Sequence, residues 1–169
     1  MKKLTPTIAF ILLLITLSCK TNKYSFLNQY PVKQAPIVDS TNFSNHAEGK
    51  LLTKEEQKLL KLDEIFEGQI EDQNAKVGVS YLPKLSENYQ SVVYYLYPSN
   101  SELLVMLVNY NKDFQVINSQ LLAYDEIAEN MLKSQSTIYK DSIILKEYVS
   151  DNPSTIKFSI LENGDITRE

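Results

Sequence analysis

The sequence has few of the residues on which most enzyme sites depend. It contains one cysteine, one histidine, four glycines and no tryptophan. A single cysteine cannot form a disulfide within the chain, so packing alone must stabilise the fold. The four glycines are too scattered for a phosphate-binding loop. His46 lies in a polar segment, where a solvated linker residue is expected rather than a catalytic or metal-binding one.

The charge of the chain argues against nucleic acid as a partner. There are 17 Lys and Arg against 21 Asp and Glu, which gives a formal net charge of −4 at pH 7. Loss of Lys2 and Lys3 with a cleaved leader would make the chain two units more negative. No basic cluster offsets this charge, and a negative surface is unsuited to phosphate backbones. We expect no nucleic-acid partner, and no motif indicates a cofactor.

The first nineteen residues have the pattern of an export signal, MKKLTPTIAFILLLITLSC. Lys2 and Lys3 form a positive start, residues 8–17 form an apolar core, and the small Ser18 precedes Cys19. The apolar core has about ten residues, whereas a membrane-spanning helix needs about twenty. A cleaved signal peptide over residues 1–18 is therefore expected rather than a membrane span.

The end of this segment, Thr16-Leu17-Ser18-Cys19, resembles the lipobox of bacterial lipoproteins. The resemblance implies that Cys19 is acylated, for example with palmitate, and becomes the new N-terminus. One acyl chain binds a membrane only marginally, but two or three hold a protein there. Because Lys20 rather than Asp follows the cysteine, inner-membrane retention is not signalled. In a cell with two membranes the resemblance therefore implies the outer membrane, and whether the domain faces the periplasm or the exterior stays open. The alternative is an ordinary secretory signal that leaves Cys19 as a free thiol.

Residues 19–50 are predicted to be a lipidated cysteine followed by a flexible tether. The segment has no hydrophobic period, is rich in Asn, Ser, Thr and Lys, and contains Pro31 and Pro36. A coil of this length has a root-mean-square reach of roughly 30 Å, enough to hold a domain clear of the headgroups. Scattered apolar residues such as Tyr24 and Phe26 leave open the alternative that part of the tether docks on the domain.

An amphipathic helix is predicted to begin the domain of residues 51–169. Thr53 and Glu56 form the S/T-x-x-E pattern of a capping box. Apolar residues recur at spacings of three and four along this segment, as one stripe formed by Leu59, Leu62, Phe66 and Ile70. The helix is expected to end near Gly68.

The remainder of the domain has the period and turns of β-strands. Short turn sequences such as Asn111-Lys112-Asp113 and Asn163-Gly164 separate the runs. The connections are too short for crossover helices, so the strands should be antiparallel. The predicted fold class is α+β, with an N-terminal amphipathic helix packed on an antiparallel β-meander of about six strands. The runs are residues 91–97, 102–110, 114–124, 131–139, 142–149 and 156–160.

Tyrosines and carboxylates are the remaining candidates for a site. The chain has eleven tyrosines, and Tyr95 and Tyr97 share one face of a predicted strand. Rigid rings with a hydroxyl suit recognition of sugars or peptides, although tyrosine also simply fills half-buried sheet faces. Asp125, Glu126 and Glu129 form an acidic corner, which is either a solvated surface or, through Asp125 and Glu129, the acid pair of a hydrolase.

These observations favour a membrane-anchored lipoprotein of the cell envelope that is not an enzyme. We expect Cys19 to carry lipid, Tyr95 and Tyr97 to contact a ligand, and the partner to be an envelope protein or a glycan. We assign no catalytic residue and no metal ligand. The alternatives are a role in envelope assembly, an inhibitor or immunity-type role, and a carboxylate-based hydrolase.

Overall fold

The computed structural model describes residues 23–40, 49–70, 74–126, 132–149 and 152–169. Cys19, His46 and Glu129 lie outside the described residues. Within them, ten strands form one mixed sheet, accompanied by two short helices and a 3-10 turn at Ser25–Gln29. The helices are α1 (Lys54–Leu59) and α2 (Leu62–Phe66). The strands are β1 (Val32–Gln34), β2 (Ile37–Ser40), β3 (Lys76–Lys84), β4 (Gln90–Tyr97), β5 (Glu102–Tyr110), β6 (Val116–Glu126), β7 (Leu132–Ile138), β8 (Ser142–Val149), β9 (Asn152–Ile160) and β10 (Ile166–Arg168).

Strands β3 to β10 follow one another in chain order as antiparallel neighbours. The two N-terminal strands join this series at separate places. Strand β1 pairs in parallel with β3, and β2 pairs antiparallel with β7. Strand β6 pairs with β7 only at Tyr124 and Asp125, and β2 takes the next positions along β7, from Gln135 to Ile138. The N-terminal segment therefore completes the pairing of two strands that come later in the chain.

The predicted fold class is wrong, although the antiparallel succession of strands is confirmed. The described chain is mostly strand, in one mixed sheet of ten strands, rather than a helix on a meander of about six. Two of the additional strands, β1 and β2, come from the predicted tether. Strands of three and four residues are too short to show a hydrophobic period in the sequence. Pairing with neighbouring strands stabilises them instead of a periodic pattern of their own. Residues 23–40 of the predicted tether therefore dock on the domain, as the alternative interpretation of this segment expected.

The start of the predicted helix is confirmed in detail. The Thr53 hydroxyl accepts from the Glu56 backbone N–H at 3.2 Å, and the Thr53 N–H donates to Glu56 Oε2 at 2.8 Å. This reciprocal pair is the capping box that the sequence pattern predicts.

The predicted continuation of the helix is wrong, because the helix breaks after the six residues Lys54–Leu59. Lys61 has a left-handed backbone with φ of 56°. In an unbroken helix the Leu60 carbonyl would accept the N–H of Glu64. It accepts instead from the Tyr110 hydroxyl at 2.9 Å, and Glu64 donates to the Lys61 carbonyl at 3.1 Å. A side chain from the sheet thus ends α1, and the turn at Lys61 lets Leu62 become fully buried.

Two hydrophobic cores lie on opposite faces of β3–β6. Alternation along β4 shows the division, since Val92 and Tyr94 face the first core and Val93 faces the second. The first core is closed by the helices and the 3-10 turn, through residues such as Leu27, Leu60, Leu62 and Phe66. The second is closed by β2 and β7–β10, through Ile37, Ile138, Ile143, Ile160 and Ile166. The protein is thus a three-layer structure, with β3–β6 in the middle.

A chain of buried hydroxyls joins the layers at the first core. The hydroxyls of Tyr94 and Tyr110 lie 3.0 Å apart. A hydroxyl carries one hydrogen, so Tyr110, which donates to the Leu60 carbonyl, accepts from Tyr94. Burial raises the pKa of both phenols above the usual value, so both remain neutral donors.

We predict that Tyr110→Phe destabilises the protein by about 1–3 kcal/mol, because it leaves the Tyr94 hydroxyl and the Leu60 carbonyl buried without partners. Urea denaturation followed by circular dichroism measures the change. The double variant Tyr94→Phe/Tyr110→Phe should lose less stability than the two single variants combined. It has no Tyr94 hydroxyl that could be left buried without a partner. The control is Tyr139→Phe, at a tyrosine that is 38% exposed, and it should change stability by less than about 0.5 kcal/mol. Equal losses at Tyr110 and Tyr139 would contradict this account.

Candidate functional site

The structure places Tyr95 inside the fold rather than on a recognition surface. Its side chain is 1% exposed, and it lies directly across from Gly78 in the pairing of β4 with β3. A Cβ atom on Gly78 or on Gly49 would collide with the Tyr95 phenol. Glycine at both positions therefore makes room for this ring to lie against the neighbouring backbone.

Tyr97 is the more accessible member of the pair. It is half-buried, and its ring meets the Tyr95 ring edge to face, with centroids 6.0 Å apart and planes at 71°. Burial, with smaller contributions from Tyr30 and Tyr97, raises the pKa of Tyr95 to about 12. Tyr95 thus has the packing role that was the alternative to ligand binding. A ligand-binding role for the pair stays a prediction, and only Tyr97 could present much surface to a partner.

The acidic corner divides between two sets of contacts. Asp125 forms an ion pair across β6 and β7 with Lys133, with Nζ and Oδ2 3.9 Å apart. Glu126, one residue later, points to other partners. Glu129 lies outside the described residues. The structure therefore brings Asp125 to a lysine, and the proposed pairing of Asp125 with Glu129 stays a prediction.

A tyrosine–carboxylate cluster of Glu102, Tyr124 and Glu126 lies where β5 begins and β6 ends. Glu102 and Glu126 are directly opposite each other in the pairing of these strands. The Tyr124 hydroxyl lies 3.1 Å from Glu102 Oε1 and 3.3 Å from Glu126 Oε2. One hydroxyl has one hydrogen to donate, so the two carboxylates share it, and each carboxylate keeps further acceptor sites.

The environment of the cluster keeps Tyr124 protonated. Burial first, and then the hydrogen bond and charge of Glu102 with a smaller effect of Glu126, raise the pKa of Tyr124 to about 12. All three side chains are half-buried. Chemically, the cluster offers a fixed set of carboxylate oxygens that can accept hydrogen bonds from N–H or O–H groups, or attract a cationic group.

The sequence did not indicate Glu102 and Tyr124 as site residues. The hairpin between β5 and β6 offered one signal in the sequence, because counting back from its turn predicts which residue lies opposite Glu102. The register, however, shifts at two irregularities, between Val105 and Met106 and between Asn109 and Tyr110. These shifts place Glu126 opposite Glu102, where simple counting from Tyr110 and Val116 would place Tyr124. A β-bulge of this kind has no reliable sequence signature.

Two cavities lie elsewhere on the surface. One, of about 270 Å³, adjoins the helices and is lined by Lys54, Gln57, Lys58, Asp63 and Ile70. The other, of about 280 Å³, is lined by Gln34, Lys84, Leu85, Ser86, Glu87 and Lys140. Lys84 there is already paired with Glu87 at 3.0 Å. Neither cavity includes the two candidate tyrosines or the tyrosine–carboxylate cluster.

Across residues 23–40, 49–70, 74–126, 132–149 and 152–169, no group of three or more His, Cys, Asp or Glu side chains could hold a metal ion. None of the helices in the same ranges is long and apolar enough to cross a membrane.

Comparison of the chain with protein-family models, with curated proteins and with solved structures found no match.

We predict that the phenol of Tyr124 titrates near pH 12 and that Glu102→Gln lowers this value towards 10, because the variant removes a negative charge beside the hydroxyl. The folded-state pKa lies above the unfolded value. The contribution of the protonated Tyr124 phenol to the free energy of unfolding is therefore fully present below pH 10 and is lost as the pH rises through 12. Carbon NMR of ring-labelled tyrosine measures the titration, and the signal lost in Tyr124→Phe assigns it. Glu162→Gln, in the exposed β9–β10 turn, is the matched control and should leave it unchanged. An unshifted titration in Glu102→Gln would refute the contact.

Proposed function

We propose that this protein is a lipid-anchored component of the bacterial cell envelope whose β-rich head binds a partner without catalysing a reaction. The observation that carries the proposal is the N-terminal sequence, in which two lysines and an apolar core of about ten residues lead to Ser18-Cys19. Acyl chains on Cys19 would keep the head at a membrane. The outer membrane is the expected location, since Lys20 follows the cysteine.

The tyrosine–carboxylate cluster is the surface that best suits recognition. Its oxygens are held by two paired strands, so little side-chain freedom is lost when a partner binds. Tyr97 lies at the same end of the sheet, because the four-residue turn 98–101 joins it to Glu102. Aromatic rings beside fixed acceptors are typical of recognition surfaces. We propose that the partner, an envelope protein or a glycan, presents N–H or O–H donors to Glu102 and Glu126.

The contacts of the acidic corner favour binding over hydrolysis. A carboxylate-based hydrolase needs two carboxyl groups facing one substrate, about 5–10 Å apart. Asp125, the first suggested member of such a pair, faces Lys133 instead. Glu102 and Glu126 lie together, but both bind the hydroxyl of Tyr124.

The anchor is tested by mass spectrometry of the protein expressed from its full sequence in a bacterial host. We expect the mature chain to begin at Cys19 and to carry two or three acyl chains, so that it fractionates with membranes. Cys19→Ser should abolish both the added mass and the fractionation. Ser18→Ala, which keeps a small residue before the cysteine, is the matched control and should remain acylated. An intact Met1 start, or a Cys19→Ser variant that stays with membranes, would refute the anchor.

The recognition surface is tested by photo-cross-linking in intact membranes, with a cross-linking side chain in place of Tyr97. We expect one defined product, reduced at least tenfold when Glu102→Gln and Glu126→Gln are combined, because the two carboxylates lose their charge while keeping their shape. Glu162→Gln removes one charge elsewhere and should leave the product unchanged. Equal cross-linking in all three proteins, or no product in any, would count against this surface.

A further inference from the structure

The described fold begins very close to the proposed anchor. Residues 20–22 alone separate Cys19 from Lys23, the first described residue. A fully extended chain spans at most about 3.6 Å per residue. The four steps from Cys19 to Lys23 therefore cover no more than about 14 Å. This is about half the reach of roughly 30 Å predicted for a tether extending to residue 50.

The chain enters the fold at a well-fixed point. The ring of Tyr24 stacks on the ring of Phe114, with centroids 3.6 Å apart and planes within 12°. Phe114 belongs to the turn between β5 and β6, has a left-handed φ of 56°, and also lies against Tyr110 at 5.6 Å. Tyr24 is 9% exposed, and Leu27 follows it into the first core. The entry point is thus part of the packed fold.

Exposed polar side chains surround this entry point. Lys23 lies over the Tyr24 ring, with Nζ 4.9 Å from the centroid. Lys112 and Asp113 are exposed on the turn that carries Phe114. We define the anchor end as Lys23, Ser25 and the turn 111–115. The ammonium groups of Lys23 and Lys112 can approach lipid phosphates from this position, and the Lys23 side chain lies over the Tyr24 ring.

We propose that the three-residue link holds the anchor end against the lipid headgroups once Cys19 is acylated, and so orients the whole head on the membrane. The inference rests on the proposed function, because it needs the acyl chains. The occupant of this face is a phospholipid headgroup surface. It follows from the length of chain between Cys19 and Lys23 and from the fixed entry of Tyr24.

This orientation turns the tyrosine–carboxylate cluster away from the membrane. Strand β5 runs from Glu102 at one end to Tyr110 beside the anchor end. Its eight steps cover about 27 Å at roughly 3.4 Å each. The cluster therefore faces the aqueous space, where a soluble or membrane-bound partner can reach it. Two negative carboxylates are also kept away from anionic phosphates.

The test measures how close each end of the head lies to the headgroups. The acylated full chain is reconstituted in phosphatidylcholine vesicles that contain lipids with a nitroxide on the headgroup. Acylated Cys19 has no free thiol, so Lys112→Cys or Asn100→Cys supplies the only site for a fluorescent label. Asn100 is exposed in the β4–β5 turn, at the opposite end of the sheet. We expect the label at position 112 to be quenched at least threefold more strongly than the label at 100. Equal quenching, or stronger quenching at 100, would overturn the proposed orientation.

A longer link provides the matched control. Thirty Gly and Ser residues inserted after Thr21 keep the anchor and the head but add roughly 30 Å of reach. We expect quenching at position 112 to fall to the level seen at 100. Undiminished quenching would show that the short link does not set the orientation.

Failure of the anchor and failure of the orientation give different results. If Cys19 is not acylated, the protein has an unmodified mass, does not remain with vesicles and shows no quenching at either position, which refutes the proposed function. If the mass and fractionation show acylation but the two positions are quenched equally, only the orientation is refuted.

Discussion

The pairing of β5 with β6 is the constraint on which the rest of the molecule depends. The two strands belong to the middle layer, β3–β6, which has one hydrophobic core on each face. One end of the pair presents Tyr110, which ends α1, and the turn residue Phe114, which stacks on Tyr24. The other end holds Glu102 and Glu126 opposite each other. The register of this hairpin decides which residues meet at each end. A shift of one residue would also turn the side chains of one strand to the opposite face, because side chains alternate with a period of two.

The N-terminal segment links this hairpin to the proposed anchor. Residues 23–40 contribute a stacked tyrosine, a 3-10 turn and two strands that pair with β3 and β7. Asp39 is buried within this segment and accepts a hydrogen bond from the Tyr81 hydroxyl at 2.6 Å. Such contacts make the segment part of the folded unit. A membrane anchor attached just before it would act on the orientation of the whole head rather than through a long coil.

Local sequence signals predicted those features that depend on neighbouring residues. The capping box of Thr53 and Glu56 formed as expected, since both partners lie within one turn. Strand β5 has the predicted bounds, because its two apolar sets are covered by the two cores. The long helix failed because its break depends on Tyr110, fifty residues away. Within the candidate site, the sequence alone indicated the acidic corner, which includes Glu126, and Tyr97. Glu102 and Tyr124 were not, because bulges decide which residues meet across the strands.

The amino-acid sequence by itself determined the export-like start, the lone cysteine, the strand-rich character and the order of the antiparallel strands. All of these follow from composition and short-range period. Only the tertiary structure decided that Tyr95 is packed against two glycines, that residues 23–40 belong to the sheet, and that Tyr124 joins two carboxylates. Each of those outcomes depends on contacts between segments far apart in the chain, and no local pattern encodes which distant edge or ring a residue will meet.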